Sequence, residues 1–159
     1  MPLEIERKFL VINDAWRAFA SEGVPFQQGY ILTRGGVTVR VRTAGDQGYI
    51  TIKGQRSGIT RSEFEYPICR EEAQEMLEQL CDPPIVEKTR YFVQTDGATW
   101  EVDEFRGDNL GLIVAEIELK DEAQPITLPH WVGIEVSDDP RYTNLQLSAH
   151  PFGTWHDKA

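Results

Sequence analysis

Charged side chains recur at every second position through much of this chain. The first such run, Leu3-Glu4-Ile5-Glu6-Arg7-Lys8-Phe9-Leu10-Val11, sets the pattern. In an extended strand alternate side chains share a face, so Glu4, Glu6 and Lys8 point one way and Ile5, Arg7 and Phe9 the other. Two carboxylates and an ammonium on one face fit a divalent metal ion beside an anion. A solvated sheet face fits this one strand equally well. Repetition of the pattern favours the site. Arg40 and Arg42 share a face in the run Val37 to Thr43, Thr51 and Lys53 in Tyr49 to Lys53, and Glu63 and Glu65 in Thr60 to Ile68. Further on, Lys88, Arg90 and Phe92 align, then Glu101 and Asp103, then Glu116, Glu118 and Lys120.

The residue types suggest a division of labour. Arg40, Arg42 and Arg90 carry planar forks suited to bidentate phosphate contacts, while Lys8, Lys53 and Lys88 act as point charges. Carboxylates are the hard oxygen ligands that Mg²⁺ and Mn²⁺ prefer. Cations of this kind opposite carboxylates suggest a chain of phosphates bridged by one or two ions. Phosphoryl transfer to water needs positioning, charge neutralisation and an oriented water, but no covalent nucleophile. None is evident. His130, His150 and His156 cluster late, and no serine or cysteine has a recognisable partner.

These side chains require about eight or nine strands, against two or three short helices. The helices are expected at Ala15 to Glu22, at Arg70 to Leu80 with its stripe of Ala73, Met76, Leu77 and Leu80, and from Ser137 to about Ser148. So few helices cannot cover an open sheet of that size. An eight-stranded barrel has an interior wide enough for side chains and one small ligand. A lumen lined by both signs must be wet, internally paired, or filled by metal and polyanion. The expected fold is therefore mainly β with some α (α+β): a closed barrel, with an open sheet as the alternative.

Composition narrows the class. A chain of 159 residues reads as a single domain, 1–159, with a loose tail over about 151–159. A net charge of -10 and a pI near 4.7 exclude nucleic acid and anionic membrane as general partners. Cys69 and Cys81 have no metal-ligand spacing and suit a reducing cytoplasm. No stretch approaches the length of a membrane span.

Glu4-Ile5-Glu6-Arg7-Lys8 resembles the ExExK motif of the CYTH superfamily, the triphosphate tunnel metalloenzymes. The resemblance continues through Val39-Arg40-Val41-Arg42, Thr51-Ile52-Lys53-Gly54, Arg61-Ser62-Glu63-Phe64-Glu65-Tyr66 and Glu87-Lys88-Thr89-Arg90-Tyr91. Trp100-Glu101-Val102-Asp103-Glu104-Phe105, Ala115-Glu116-Ile117-Glu118-Leu119 and Asp139-Pro140-Arg141-Tyr142-Thr143-Asn144 complete it, in order, over nearly the whole chain.

The resemblance implies an eight-stranded antiparallel barrel forming a tunnel, with Mg²⁺ or Mn²⁺ required as one or two ions. It implies that Glu4, Glu6, Asp103, Glu116 and Glu118 bind metal and that Lys8, Arg40, Arg42, Lys53, Lys88 and Arg90 grip a triphosphate. Glu4, Glu6, Lys8, Lys53, Glu63 and Glu65 are the implied catalytic set, Glu63 and Glu65 joining the metal shell or holding the bases. Arg61, Lys120 and Arg141 read equally well as structural ion pairs. Adenylyl cyclases of this class carry a His-Phe pair before the ExExK, where this chain has only Met1-Pro2-Leu3. The compact EIERKFLV branch resembles inorganic triphosphatases, which implies hydrolysis of tripolyphosphate to pyrophosphate and phosphate, with ATP or thiamine triphosphate secondary. A class IV-type adenylyl cyclase, a nucleoside or thiamine triphosphatase, and a non-catalytic polyphosphate or nucleotide sensor are the alternatives. Family barrels often pair, which implies a homodimer; Trp131, Phe152 and Trp155 are apolar groups available to such an interface.

Overall fold

The computed structural model of the chain describes residues 2–155; the end of the expected loose tail, residues 156–159 with His156, lies outside the described residues. β1 (Leu3–Val11) is followed by a 3-10 turn (Ala15–Phe19) and a meander of β2 (Val24–Arg34), β3 (Val37–Ala44), β4 (Gln47–Lys53) and β5 (Thr60–Ile68). α1 (Arg70–Gln79) leads to a second meander, β6 (Val86–Thr95), β7 (Ala98–Phe105) and β8 (Ile113–Glu118). β9 (Val132–Glu135), a 3-10 turn (Pro140–Tyr142), α2 (Asn144–Ala149) and a last 3-10 turn (Phe152–Thr154) complete the chain.

Every strand pairing is antiparallel. Neighbours run β5-β4-β3-β2-β6-β7-β8-β1, and β1 also pairs with β5, so eight strands close into the expected barrel. Closure is uneven. On one edge β1 pairs with β8 over Glu6 to Leu10. On the other edge it meets β5 only at Leu3, Glu4 and Ile5, then passes to the added strand β9 at Phe9 and Val11. The β2–β3 hairpin turns on Gly35 and Gly36, at φ 57 and 80. A two-residue loop with both centres at positive φ matches the twist of the strands it joins, and glycine takes that conformation without strain.

Three apolar clusters hold the barrel from outside and at one end. Phe9, Trp100 and Trp131 stack edge to face, with centroids at 5.6 and 5.7 Å, beside fully buried Trp16; each such ring pair adds ~1 kcal/mol beyond its burial. α1 lays Ala73 and Leu77 over Val41 and Cys81. At the third cluster Val86, Phe105, Leu112 and Val114 fill the strand ends beneath Leu147 of α2 and Tyr142. Trp131 is thus buried within the monomer, and Trp155 stacks on Tyr142 and Phe152. The third cluster reaches the lumen, since Tyr142 and Val136 also line its wider end.

Two local expectations give way. The helix read over Ala15 to Glu22 is a single 3-10 turn, because Ala20 is drawn into a β-bridge with Val93 and Ser21 donates its N–H to the Phe92 carbonyl. Trp16 stays buried while Phe19, its i+3 partner, is 70% exposed. The single helix expected after Ser137 is split at Thr143, whose hydroxyl accepts from Gln146 N–H and caps α2. Among the described residues no helix is long and apolar enough to cross a membrane.

Candidate functional site

Strand parity and register assemble the site. Directly opposed residues in an antiparallel pair share a face. β1 therefore sets Glu6 opposite Glu118 and Lys8 opposite Glu116, and β7 sets Glu101 opposite Glu116. Across the lumen, β3 places Arg40 and Arg42, and β4 sets Lys53 opposite Glu63 and Thr51 opposite Glu65. β6 contributes Arg90, opposite Asp103, and Lys88.

The lumen has two connected compartments. One, of about 170 Å³, lies among Arg42, Arg90, Glu65, Glu101, Glu116 and Glu118. The other, of about 420 Å³, extends towards Arg56, Arg61 and the segment Val136 to Leu145. Glu4, Glu6, Arg40, Lys53 and Asn144 line both. Lys8 lines the wider compartment and Glu63 the narrower one, whereas Lys88 and Asp103 line neither. Lys120 is exposed beyond the end of β8, and Arg141 pairs with its neighbour Asp139 at 2.8 Å.

Asp103 lies beneath the bases. It accepts from Lys88 Nζ at 2.7 Å and from Arg90 Nε and Nη2 at 2.7 and 2.9 Å. Burial alone would raise its pKa, but Arg90 and Lys88 prevail and hold the carboxyl far below the usual range. Lys88 Nζ also donates to Asn144 Oδ1 at 3.1 Å, tying α2 to the barrel wall. Lys53 Nζ donates to both oxygens of Glu4, at 3.0 and 2.8 Å, and lies 3.3 Å from Glu63. Thr51 Oγ1 donates to Glu65 at 2.8 Å, with Arg40 at 3.5 Å from the same oxygen.

The carboxylates of β1 and β8 are less well matched. Lys8 stands 3.5 Å from Glu116. Burial opposes the charge of Glu116, yet Lys8 and Arg90 hold its carboxyl down at about 2. Glu6 differs: it makes no side-chain hydrogen bond or ion pair among the described residues, and burial, Glu116 and Glu4 push it up to about 8. Glu4 is raised chiefly by burial, against the pull of Lys53, and shares a hydrogen bond with Glu63. Like charges set directly opposite in a ladder destabilise it. Glu4, Glu6, Glu116 and Glu118 have the oxygen-donor chemistry to hold a hard divalent cation, and among the described residues no three acidic side chains yet converge as a ligand group.

Several lumen residues escape the sequence reading. Gln28 is fully buried and accepts from Arg42 Nε at 2.9 Å; Phe26 and Tyr30 share its strand face. Arg56 reaches the wider compartment from the loop after β4 and donates to the Ser137 carbonyl at 3.1 Å. The Gly35-Gly36 hairpin is no guide to the β2 residues: its register would set Ile31 and Gly29 opposite Arg40 and Arg42, and a register shift between Tyr30 and Leu32 brings Tyr30 and Gln28 there instead.

Comparison with known proteins converges on one group. The CYTH domain family model matches residues 2–146. An inorganic triphosphatase of Acetivibrio thermocellus is 51% identical over 152 residues, covering 96% of this chain and 97% of that protein. An inorganic triphosphatase of Nitrosomonas europaea is 37% identical over 149 residues, covering 91% and 96%. A crystal structure of an inorganic triphosphatase superposes with a TM-score of 0.65 at 36% identity, covering 93% of this chain and 95% of its own.

Proposed function

The chain belongs to the CYTH domain family, and we propose that it hydrolyses inorganic tripolyphosphate to pyrophosphate and phosphate with the aid of a divalent metal ion. One observation carries the reading: a wall of under-neutralised carboxylates faces a wall of arginines and lysines across a single lumen. The names of the two relatives agree with it.

In this reading Arg40, Arg42, Arg90, Lys8 and Lys53 bind and align the phosphate chain, their charge opposing its repulsion in a site largely screened from water. Glu4, Glu6, Glu116 and Glu118 hold Mg²⁺ or Mn²⁺, which supplies further charge neutralisation and a Lewis-acid pull on the phosphate oxygens. Asp103, expected among the ligands, is assigned instead to fixing Arg90 and Lys88, since it is buried beneath those two cations and lines neither compartment. Glu63 and Glu65 orient Lys53 and Arg40 in the same way. A water oxygen bonds to a terminal phosphorus, the bridging P–O bond breaks, and the proton of the water passes to solvent. No side chain forms a bond to phosphorus.

The wider compartment also presents Ile59, Val136 and Leu145, so ATP and thiamine triphosphate are assigned as secondary substrates whose organic part lies there. Two unpaired cysteines suit a cytoplasmic setting. A homodimer would cover the exposed outer strip of Ile52, Phe64 and Tyr66, and sedimentation at micromolar concentration tests it. The test of function is phosphate release from tripolyphosphate, ATP, thiamine triphosphate and pyrophosphate, each with Mg²⁺, Mn²⁺ or chelator. Metal-dependent release that is strongest from tripolyphosphate is expected. Tight binding without turnover of any of the four would make the protein a sensor.

A further inference from the structure

Three buried cations converge on one uncharged side chain. The Cζ atoms of Arg42 and Arg90 each lie 4.8 Å from the centroid of the Phe26 ring, and Lys88 Nζ lies 5.8 Å from it. All four side chains are buried. Arg90 and Lys88 have Asp103 as a counter-ion, but Arg42 has no carboxylate within ion-pair distance among the described residues. Arg42 is restrained by Gln28 Oε1 at 2.9 Å and by the ring. Register explains the convergence: Phe26 sits opposite Ala44 on β3 and Lys88 on β6, so its ring lies between the two strands that carry the cations.

We propose that Phe26 is a positioning residue, whose negative ring face holds the Arg42 and Arg90 guanidiniums together in the geometry that grips the phosphate chain. Guanidiniums repel one another when brought together in a dry site, and an aliphatic side chain of the same volume offers nothing to offset that. An aromatic face attracts each of them, most strongly where water is excluded. The inference rests on the reading of the lumen as a tripolyphosphate site, and it adds a residue that never touches the substrate.

The experiment is graded fluorination of the Phe26 ring, which keeps its shape while draining the negative face stepwise, together with Phe26→Leu. Three quantities are measured: tripolyphosphate binding by calorimetry in chelator, KM and kcat with Mg²⁺, and thermal unfolding. Binding and KM are expected to weaken with each added fluorine, to about tenfold for the fully fluorinated ring, the scale of one desolvated cation–π contact. Unfolding temperature should fall along that series too, since the ring already meets the cations in the unliganded fold, and Phe26→Leu should match the fully fluorinated protein in KM. A flat series, with Phe26→Leu lowering only the unfolding temperature, reduces Phe26 to a core filler and overturns the inference. A parent protein that neither binds nor hydrolyses tripolyphosphate overturns the functional reading itself, a different result from a flat series on an active parent.

Discussion

On the β6–β7 side of the lumen, Asp103 takes one hydrogen bond from Lys88 and two from Arg90, so these buried charges answer one another before any ligand arrives. On the β1–β8 side, Glu6 faces Glu118 across the ladder, Glu116 faces Glu101, and Lys8 at 3.5 Å is a distant partner for Glu116. The first side is ordered by folding alone. On the second, Lys8 and Arg90 hold the Glu116 carboxyl low, while Glu6, pushed up to about 8, has no ion-pair partner among the described residues. The contrast separates two settings of a lumen carboxylate: one whose oxygens already aim a base, and one left open to a ligand.

The largest effect should come from breaking the self-sufficient side. Asp103→Asn leaves Lys88 and Arg90 buried without their shared counter-charge, and a loss of about 3–5 kcal/mol is expected in denaturant unfolding. An unchanged midpoint would show that Asp103 is not what neutralises this wall. On the opposite side the same chemical change should act in reverse. Glu6→Gln or Glu118→Gln should lower metal-dependent turnover about 100-fold, as removal of a metal-supporting group does, yet raise the unfolding temperature of the metal-free protein by relieving repulsion. Full activity in both variants would remove them from the metal set.

Substrate grip should register at a smaller scale. Arg40→Ala should raise KM about tenfold and lower kcat as well, one charge-assisted contact being worth ~1.5 kcal/mol or more. A pure kcat loss would move Arg40 to a role confined to the transition state. The smallest effect belongs outside the lumen. Arg7 donates to Glu135 at 2.6 Å on the barrel exterior, and that hydrogen bond holds Glu135 below its usual 4.5. Because the folded value is depressed, the stabilisation is complete above 4.5 and drains as pH falls through the folded value. Solvent screening limits it to at most about 1 kcal/mol. Comparing Glu135→Gln with the parent protein between pH 6 and 3, in low and high salt, should show a small difference that salt erases.

Much of the wall chemistry was legible because charged residues recur at alternate positions, Glu4, Glu6 and Lys8 in β1, Arg40 and Arg42 in β3, and Glu63 and Glu65 in β5: parity alone turned Glu4, Arg40 and Glu63 inward. Parity is blind to who faces whom. Asp103 read as one more carboxylate until the register set it opposite Arg90. β2 was illegible for another reason. Its inward residues Phe26, Gln28 and Tyr30 carry no charge and its outward ones include Gln27 and Gly29, so no contrast marks a face. The 3-10 turn at Ala15 failed for a third, since its helical pattern is local but the bridge from Ala20 to Val93 spans most of the barrel.

The short seam between β1 and β5 has a bearing on how the molecule breathes. Leu3, Glu4 and Ile5 close the hoop there against Ser62, Arg61 and Thr60, flanked by one backbone hydrogen bond on each side, Glu63 N–H to the Pro2 carbonyl and Glu6 N–H to the Ile59 carbonyl. Few shared contacts mean that these amides should open and exchange deuterium well before those of the β6–β7 hairpin, which holds eight residue pairs in register. Glu4, itself the anchor of Lys53, rides on that seam. Each opening would therefore slacken the lumen from its edge, and a cation holding Glu4 to the neighbouring strands would act as a clasp, slowing exchange along this seam far more than elsewhere.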